Sequence, residues 1–368
     1  MTEKNKIDWF TIVTIDSGSG GAEQTQLNLI TALIEQGKKC SVVILKKSKK
    51  NSWKHLEDKC EIIHTPFNWI FISYLYLFPF LFFFFKKNEA SYIFSSQTLI
   101  NSLLGVCKKV GFYESQLIVR ESNSIFKLLD GLKLLRYKIA YKIGYSYVDL
   151  VICQTSYMKK QLLDAMPWIE KKTKVVVIPN PLNHKDMLQK SKEVIKELQH
   201  EDYIVAAGRL VPAKGFDILI NSFSKIHEKL NGCKLYILGD GPDKESLIKQ
   251  IRDNGLDKKI ILKGLVPNVY PYFKNAELCV MSSRIEGFPN VLLQMMSQNT
   301  KVVSTISAGD IDQIEGIFTC PINDENKLSD SILECFKSDT TDRRKIFDAD
   351  LSKRSLDAFI NKILKNMD

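Results

Sequence analysis

The chain has 368 residues, with 52 Lys or Arg against 42 Asp or Glu, and 45% of its residues are hydrophobic. This length predicts two domains, and the ordinary composition excludes a wholly disordered chain and a coiled coil. Residues 1–180 hold 25 basic and 15 acidic side chains, whereas residues 181–368 hold 27 of each. A basic half suits an anionic partner, such as nucleic acid, an acidic lipid surface or a phosphorylated substrate; a lysine-rich solvated surface is the alternative.

Strand-like and helix-like segments alternate along the first half of the chain. A buried strand pattern at residues 9–15 precedes a glycine cluster, apolar residues at helical spacing from 23 to 35, and a second strand at 40–45. This order predicts a parallel sheet with right-handed crossovers. Glycines at a strand-to-helix turn let a ligand approach the backbone, so the cluster Gly18, Gly20 and Gly21 is a candidate loop near a sugar or phosphate. The lysines that end the second strand disfavour NAD or FAD, which need an acidic residue there.

An aromatic run at residues 67–85 has no charged residue, and eleven of its nineteen side chains are aromatic. Three interpretations stay open: a buried crossover helix, a helix or loop that dips into the bilayer interface, and a transmembrane helix. Nearby lysines suit contact with anionic lipids. A membrane crossing would separate strands that should pair, and Pro79 would interrupt the span.

A proline-rich break at residues 179–181 separates two series of strand, loop and helix patterns. We therefore predict a first domain over 1–182 and a second over 183–342. The charged, helical stretch from 343 to 368 is a third segment. Both series fit a doubly wound α/β domain.

Two loops of the second half carry residues suited to an anionic ligand. Arg209 and Lys214 follow a predicted strand on one short loop and could converge on a diphosphate. Glu286 follows a later strand and could accept hydrogen bonds from sugar hydroxyls. Residues 287–290 would offer backbone amides at the start of the next helix. The alternatives that involve no ligand are that Arg209 and Lys214 are solvated cations on a loop and that Glu286 only caps the next helix.

Together with these loops, four stretches carry a family resemblance: Gly208-Arg209-Leu210 with Lys214, Gly239-Asp240-Gly241-Pro242, Lys263-Gly264-Leu265-Val266, and Glu286-Gly287-Phe288-Pro289-Asn290-Val291-Leu292-Leu293. On these residues the chain resembles glycosyltransferase family 4, the retaining nucleotide-sugar transferases of GT-B fold. The resemblance implies two Rossmann-like doubly wound domains facing a cleft. The donor would bind mainly to the second domain and the acceptor to the first, and the segment from 343 to 368 would return to the first domain.

The resemblance also implies roles for individual residues. Arg209 and Lys214 would hold the donor diphosphate, Glu286 would bind donor sugar hydroxyls, and Glu121 falls where the family has its active-site loop. The other donor-binding positions would be Gly20, Gly21, Leu265, Val266, Gly287, Phe288, Pro289, Asn290, Val291 and Gln294. Two positions depart from the family pattern: Gln294 stands where a second glutamate usually binds ribose, and no histidine neighbours Glu121.

The predicted function is that of a retaining hexosyltransferase. It would move a hexose or N-acetylhexosamine from a nucleotide sugar, most simply UDP-linked, to a lipid-linked glycan of bacterial O-antigen, lipopolysaccharide or capsule biosynthesis. No metal or other cofactor is expected, and Asp348 and Asp350 are interpreted as a solvated helix face. The alternatives are an inactive GT-B partner protein, an epimerase and a sugar phosphorylase of the same fold.

The predicted location is the cytoplasm, with peripheral contact at the inner face of the membrane. The polar first residues do not resemble a signal peptide, and most of the eight cysteines lie in apolar runs, which is typical of free core thiols. Nucleic acid is not expected as a partner, because basic and aromatic residues are not interleaved on any one element.

Overall fold

The computed structural model describes residues 9–15, 17, 21–46, 53–65, 70–87, 90–199 and 201–367. The chain forms two compact units, the first comprising residues 1–181 and 356–368 and the second residues 182–355. Each unit is built on a parallel sheet whose two faces are both covered by helices, which explains the near-continuous apolar strands. The predicted α/β architecture of two Rossmann-like domains is confirmed.

In the first unit, the described strands form a seven-stranded sheet in the order β3-β2-β1-β4-β5-β6-β7, and all neighbouring pairs are parallel. Successive side chains of a strand point to opposite faces, so Ile12 and Val13 belong to different hydrophobic cores. The strands are β1 (Trp9–Thr14), β2 (Lys39–Ile44), β3 (Glu61–His64), β4 (Tyr92–Ser95), β5 (Gln116–Arg120), β6 (Leu150–Cys153) and β7 (Lys174–Val177).

Helices of the first unit connect these strands. They are α1 (Gly21–Glu35), α2 (Ile70–Lys87), α3 (Thr98–Lys109), α4 (Ile125–Leu128), α5 (Gly131–Gly144) and α6 (Ser156–Ala165). α2 contains most of the aromatic run and joins β3 to β4. Its second half packs into the core through Leu77, Leu81, Phe84 and Phe85, whereas Phe83 is 69% exposed. Among the described residues, no helix is long and apolar enough to cross a membrane.

The second unit has a six-stranded parallel sheet in the order β10-β9-β8-β11-β12-β13. Its strands are β8 (Tyr203–Ala207), β9 (Lys234–Leu238), β10 (Ile260–Gly264), β11 (Leu278–Met281), β12 (Val302–Thr305) and β13 (Phe318–Cys320). Its helices are α7 (His184–Lys190), α8 (Phe216–Ile226), α9 (Lys244–Asp253), α10 (Tyr270–Asn275), α11 (Asn290–Gln298), α12 (Glu325–Lys337) and α13 (Arg343–Ser352).

The segment from 343 to 368 differs from the prediction, because the structure divides it between the two units. Phe347 and Leu351 of α13 are buried in the core of the second unit. The last helix, α14 (Leu356–Met367), belongs to the first unit, where it packs on α1 through Phe359 and Ile360. The apolar faces of the two helices therefore serve different cores, and only residues from 356 onward belong to the first unit.

Candidate active site

The strand order of the second unit creates a topological switch point beside β8. β8 lies between β9 and β11, so the chain leaves these strands toward opposite sides of the sheet. In open α/β sheets ligands bind in the crevice at the carboxyl ends of such strands. Arg209 and Lys214 lie on the loop after β8, and Glu286 lies on the loop after β11. The fold thus brings three predicted site residues to one edge of one sheet.

Lys214 and Glu286 form an ion pair across this switch point. The Lys214 Nζ lies 2.5 Å from Glu286 Oε1, and the side chains are 23% and 15% exposed. The Ser283 hydroxyl donates to the same oxygen at 2.8 Å, and the backbone N–H of Glu286 donates to the Ser307 carbonyl at 2.9 Å. Within the described part of the chain no hydrogen bond reaches Oε2 of Glu286. The carboxylate is therefore held in place with one oxygen available to a ligand.

The loops after β8 and β11 touch through their backbones, and a glycine makes this contact feasible. Gly215 has φ +64°, and a Cβ placed on it would lie 2.2 Å from the carbonyl oxygen of Ser282. The Ser282 hydroxyl in turn donates to the Lys214 carbonyl at 3.0 Å. Any larger residue at 215 would push the two loops apart and move Lys214 away from Glu286.

Arg284 ties the same two loops together through its side chain. Its guanidinium donates two hydrogen bonds to Asp217, at 2.7 and 2.6 Å, and a third to the Pro212 carbonyl at 2.7 Å. Hydrogen bonding to Asp217 raises the pKa of Arg284. Burial opposes ionisation of Asp217, but the hydrogen bonds and charge of Arg284 outweigh it and lower the pKa of Asp217. The sequence motif contained Arg284, but nothing in it indicated Asp217 as the partner.

Arg209 and the start of α11 are the remaining groups at this edge. Arg209 is exposed, and its side chain makes no hydrogen bond or ion pair with any described residue. Gly287 is half-buried, Phe288 and Pro289 are buried, and α11 begins at Asn290. The nine-residue helix has no acidic residue in its first turn. The edge therefore presents an unpaired cation and a helix N-terminus, both of which favour anions.

Four further predicted donor positions lie near this edge but are not part of the ion pair. Val291 and Gln294 are half-buried on α11, and the Gln294 amide donates a long hydrogen bond, 3.4 Å, to the Tyr270 hydroxyl. Burial raises the pKa of Tyr270 to about 12. Leu265 is 72% exposed and Val266 half-buried on the loop after β10, two strands from β8. Their roles as donor contacts stay predictions.

Glu121, in the first unit, lies at the end of β5 and is only 2% exposed. Both of its oxygens are taken up within the unit, by the hydroxyls of Tyr141 and Tyr145 at 2.5 Å each. Burial raises the pKa of Glu121. In this arrangement the carboxylate binds Tyr141 and Tyr145 in the core of the first unit. Its catalytic role stays a prediction.

Arg120, which directly precedes Glu121, is fully buried. It was not singled out from the sequence. Its guanidinium donates to the Asn180 side chain and to the Ser122 hydroxyl, the latter at 3.0 Å. Burial lowers the pKa of Arg120 to about 10. Of the predicted glycines, Gly21 is exposed at the start of α1 and Gly20 lies outside the described residues.

The acidic pair predicted to lie on a helix face is found on α13. Asp348 accepts from Arg344 and Asp350 from Arg354, each at 2.9 Å and one helical turn apart. Among the residues that the structure describes, no group of three His, Cys, Asp or Glu side chains is arranged to hold a metal ion. Metal independence stays a prediction.

Comparison with known sequences adds a family match to this geometry. Residues 201–338 match the family Glycosyl transferases group 1. An uncharacterized glycosyltransferase of Methanocaldococcus jannaschii is 33% identical over 189 residues, which make up 50% of this chain and 46% of that relative. The N-acetylgalactosamine-N,N'-diacetylbacillosaminyl-diphospho-undecaprenol 4-alpha-N-acetylgalactosaminyltransferase of Campylobacter jejuni is 23% identical over 90% of this chain and 93% of its own length.

Solved structures support the same fold. HepE of Anabaena, solved in complex with UDP, superposes with a TM-score of 0.79 at 17% identity, covering 98% of this chain and 99% of its own. The sucrose-phosphate synthase of Thermosynechococcus elongatus gives a TM-score of 0.76 at 15% identity, covering 98% of this chain and 99% of its own. Residues 201–338 are thus a domain of the glycosyltransferase group 1 family, and the chain as a whole has the GT-B fold and resembles glycosyltransferases of the family 4 type.

Proposed function

We propose that this protein is a retaining hexosyltransferase that uses a UDP-linked sugar and extends a lipid-linked glycan of a bacterial surface polysaccharide. The observation that carries the proposal is the pairing of Lys214 with Glu286 at the switch point of the second unit. A cation and a carboxylate held together there suit a ligand with a negative diphosphate joined to a neutral, hydroxyl-rich sugar.

The proposed donor site assigns one task to each group. Lys214 and Arg209, with the amides at the start of α11, would stabilise the diphosphate as it gains charge on leaving. The free Oε2 of Glu286 would accept hydrogen bonds from sugar hydroxyls. Because the protein itself supplies this positive charge, the reaction would need no metal ion.

The reaction balances without a further reactant. The bond between the anomeric carbon and the diphosphate oxygen breaks, and a bond from the acceptor hydroxyl oxygen forms on the same face of the sugar. The electron pair of the broken bond stays on the diphosphate. The hydroxyl proton passes to a diphosphate oxygen, so the donor's own leaving group acts as the base. Configuration at the anomeric carbon is thereby retained.

Gln294 would contact the ribose of the donor. Its amide oxygen accepts a hydrogen bond as a carboxylate does but without the charge, so the bond should be weaker. Gln294→Glu should therefore preserve or tighten nucleotide binding, measured by calorimetry. A large loss of affinity would mean that the pocket requires the amide.

The relatives support the choice of donor and acceptor. HepE has been solved with UDP-glucose, and the Campylobacter relative is named for an acceptor carried on diphospho-undecaprenol. A relative in Rhizobium meliloti is a lipopolysaccharide core biosynthesis glycosyltransferase. The excess positive charge of residues 1–180 suits a lipid diphosphate acceptor and peripheral contact with the inner face of the cell membrane.

The first test is calorimetric binding of UDP, GDP, ADP and their hexose conjugates, with and without Mg²⁺. We expect one nucleotide family to bind with the same Kd in both conditions. Lys214→Ala and Arg209→Ala should each weaken binding about tenfold, because each removes a charged contact to phosphate. Lys249→Ala, an exposed lysine on α9 of the same unit, is the matched control and should bind as the wild type.

The second test is turnover on a polyprenyl-diphosphate-linked sugar, with the anomeric configuration of the product read by NMR. An inverted product would exclude the retaining mechanism. Absence of binding at millimolar nucleotide would favour an inactive partner protein. Conversion of the donor sugar without an acceptor would favour an epimerase.

A further inference from the structure

Helix α5 presents an apolar stripe to solvent. Leu132, Leu135, Ile139 and Ile143 are 84%, 52%, 49% and 53% exposed. Their spacing of three, four and four residues places them on one face of the helix. At 1.5 Å per residue the stripe is about 16 Å long. We call these four residues the α5 stripe.

The opposite side of α5 is fixed against the first unit, so the stripe cannot turn inward. Leu134, Tyr137 and Tyr141 pack against the core, and Tyr141 also bonds Glu121. Gly144 abuts α3 so closely that a Cβ would lie 2.2 Å from the Ser102 carbonyl oxygen. The helix is apolar on two opposite sides, and the core covers only one of them.

Positive charge flanks the stripe on both sides. At 100° per residue, Arg136 and Lys133 fall on one side of the stripe and Lys142 and Lys138 on the other. None of these four makes an ion pair with a described residue, and all are exposed. Asp130 is the single acidic residue between positions 126 and 148. The surface therefore combines exposed aliphatic side chains with a nearly unopposed cationic border.

We propose that the α5 stripe and its flanking cations dock the protein on an anionic lipid bilayer. A helix lying at the interface buries aliphatic side chains at the acyl boundary and keeps lysines at the headgroups. Self-association through a twofold axis would bring the cationic borders of two copies together, which opposes a second chain as the occupant. Nucleic acid would leave the aliphatic stripe unpaired.

This inference deepens the proposed function, because a lipid-linked acceptor lies in the membrane, but lipid binding itself requires no catalysis. The surface is separate from the aromatic run of α2, in which Phe83 is the one exposed aromatic side chain among the residues whose burial the structure describes. The two helices are thus distinguishable by substitution at exposed positions that leave the core intact.

The experiment is co-sedimentation of the full chain with vesicles of phosphatidylcholine alone and of phosphatidylcholine with phosphatidylglycerol. We expect binding only to the anionic vesicles, decreasing with added salt. The double substitution Leu135→Ser with Ile139→Ser should lower the partition coefficient at least about tenfold. Lys138→Gln with Lys142→Gln should lower it about tenfold or more at low salt and less at high salt.

Matched controls on the second unit are Val194→Ser, at a 70% exposed position, and Lys249→Gln; both should bind vesicles as the wild type. Wild-type binding by the α5 variants, or loss of binding on Phe83→Ser alone, would overturn the proposal. A change of sedimentation coefficient without vesicles, with vesicle binding unaltered, would assign the stripe to self-association and also overturn it.

Nucleotide calorimetry separates this inference from the proposed function. The α5 variants should bind UDP as the wild type does, since Arg209, Lys214 and Gln294 lie in the other unit and α5 contains none of the predicted donor residues. Vesicle binding without any nucleotide binding would retain the docking surface and reject the proposed function. Nucleotide binding without vesicle binding would reject the docking surface and leave the proposed function in place.

Discussion

The ion pair between Lys214 and Glu286 predicts that the two residues act as one unit in catalysis. Lys214→Ala and Glu286→Ala should each lower kcat about 100-fold, or about 2.7 kcal/mol, if each stabilises the transition state. If they were independent, the double substitution would lose about 10⁴-fold. A charged hydrogen bond contributes about 1.5–3 kcal/mol, and this energy is already lost in either single variant. We therefore expect the double variant to lose only about 10²–10³-fold.

The assay is the rate of UDP release at saturating donor and acceptor, compared across the four proteins of a double-mutant cycle. A matched control is the ion pair between Lys225 and Glu325 in the same unit, at 2.8 Å with side chains 42% and 30% exposed. Its alanine cycle should leave kcat within about twofold and give a coupling of about 0.2–1 kcal/mol in unfolding experiments. Additive losses at Lys214 and Glu286 would refute the argument.

Three more predictions concern stability, measured by urea unfolding. Gly215→Ala should destabilise the protein by at least about 2 kcal/mol, because strain at positive φ adds to the steric clash of the new Cβ with the Ser282 carbonyl oxygen. Gly232→Ala is the control, with φ +83° and nothing within 4 Å of a Cβ, and should cost about 1–2 kcal/mol. Asp217 has a lowered pKa in the folded state. Its contribution to the free energy of unfolding is therefore complete above the ordinary pKa of about 3.9 and is lost as pH falls through the folded value. The destabilisation by Asp217→Asn should accordingly shrink below about pH 4. Tyr141→Phe should cost about 1–3 kcal/mol, because it leaves a buried oxygen of Glu121 with only the long 3.5 Å hydrogen bond from the Thr98 hydroxyl, and a neutral effect would contradict the buried network.

The sequence predicted those parts of the fold and site that depend on local pattern. Alternating strands and helices indicate two doubly wound units, and the positions of Arg209, Lys214 and Glu286 after strands place them at a sheet edge. The pairing of Arg284 with Asp217 could not be predicted. It requires that the loops after β8 and β11 be neighbours, which the order along the chain does not state.

Other features escaped prediction for a different physical reason. A helix that is apolar on two sides has no clear amphipathic period, so the sequence of α5 does not show which of its two apolar sides packs against the core. The buried state of Glu121 depends on Tyr141 and Tyr145, which are 20 and 24 residues away. The charged stretch from 343 onward showed helical pattern throughout, and only packing reveals that its two helices serve different cores.

The placement of α14 has a consequence for biosynthesis. The ribosome makes residues 182–355 between the last strand of the first sheet and the helix that completes its core. At about 5–20 residues per second this interval lasts about 10–35 seconds. During that time Leu29 and Leu33 of α1 lack their partners Phe359 and Ile360. The second unit, being continuous, can finish folding before the first, and a fragment of residues 1–181 would expose this apolar face and aggregate.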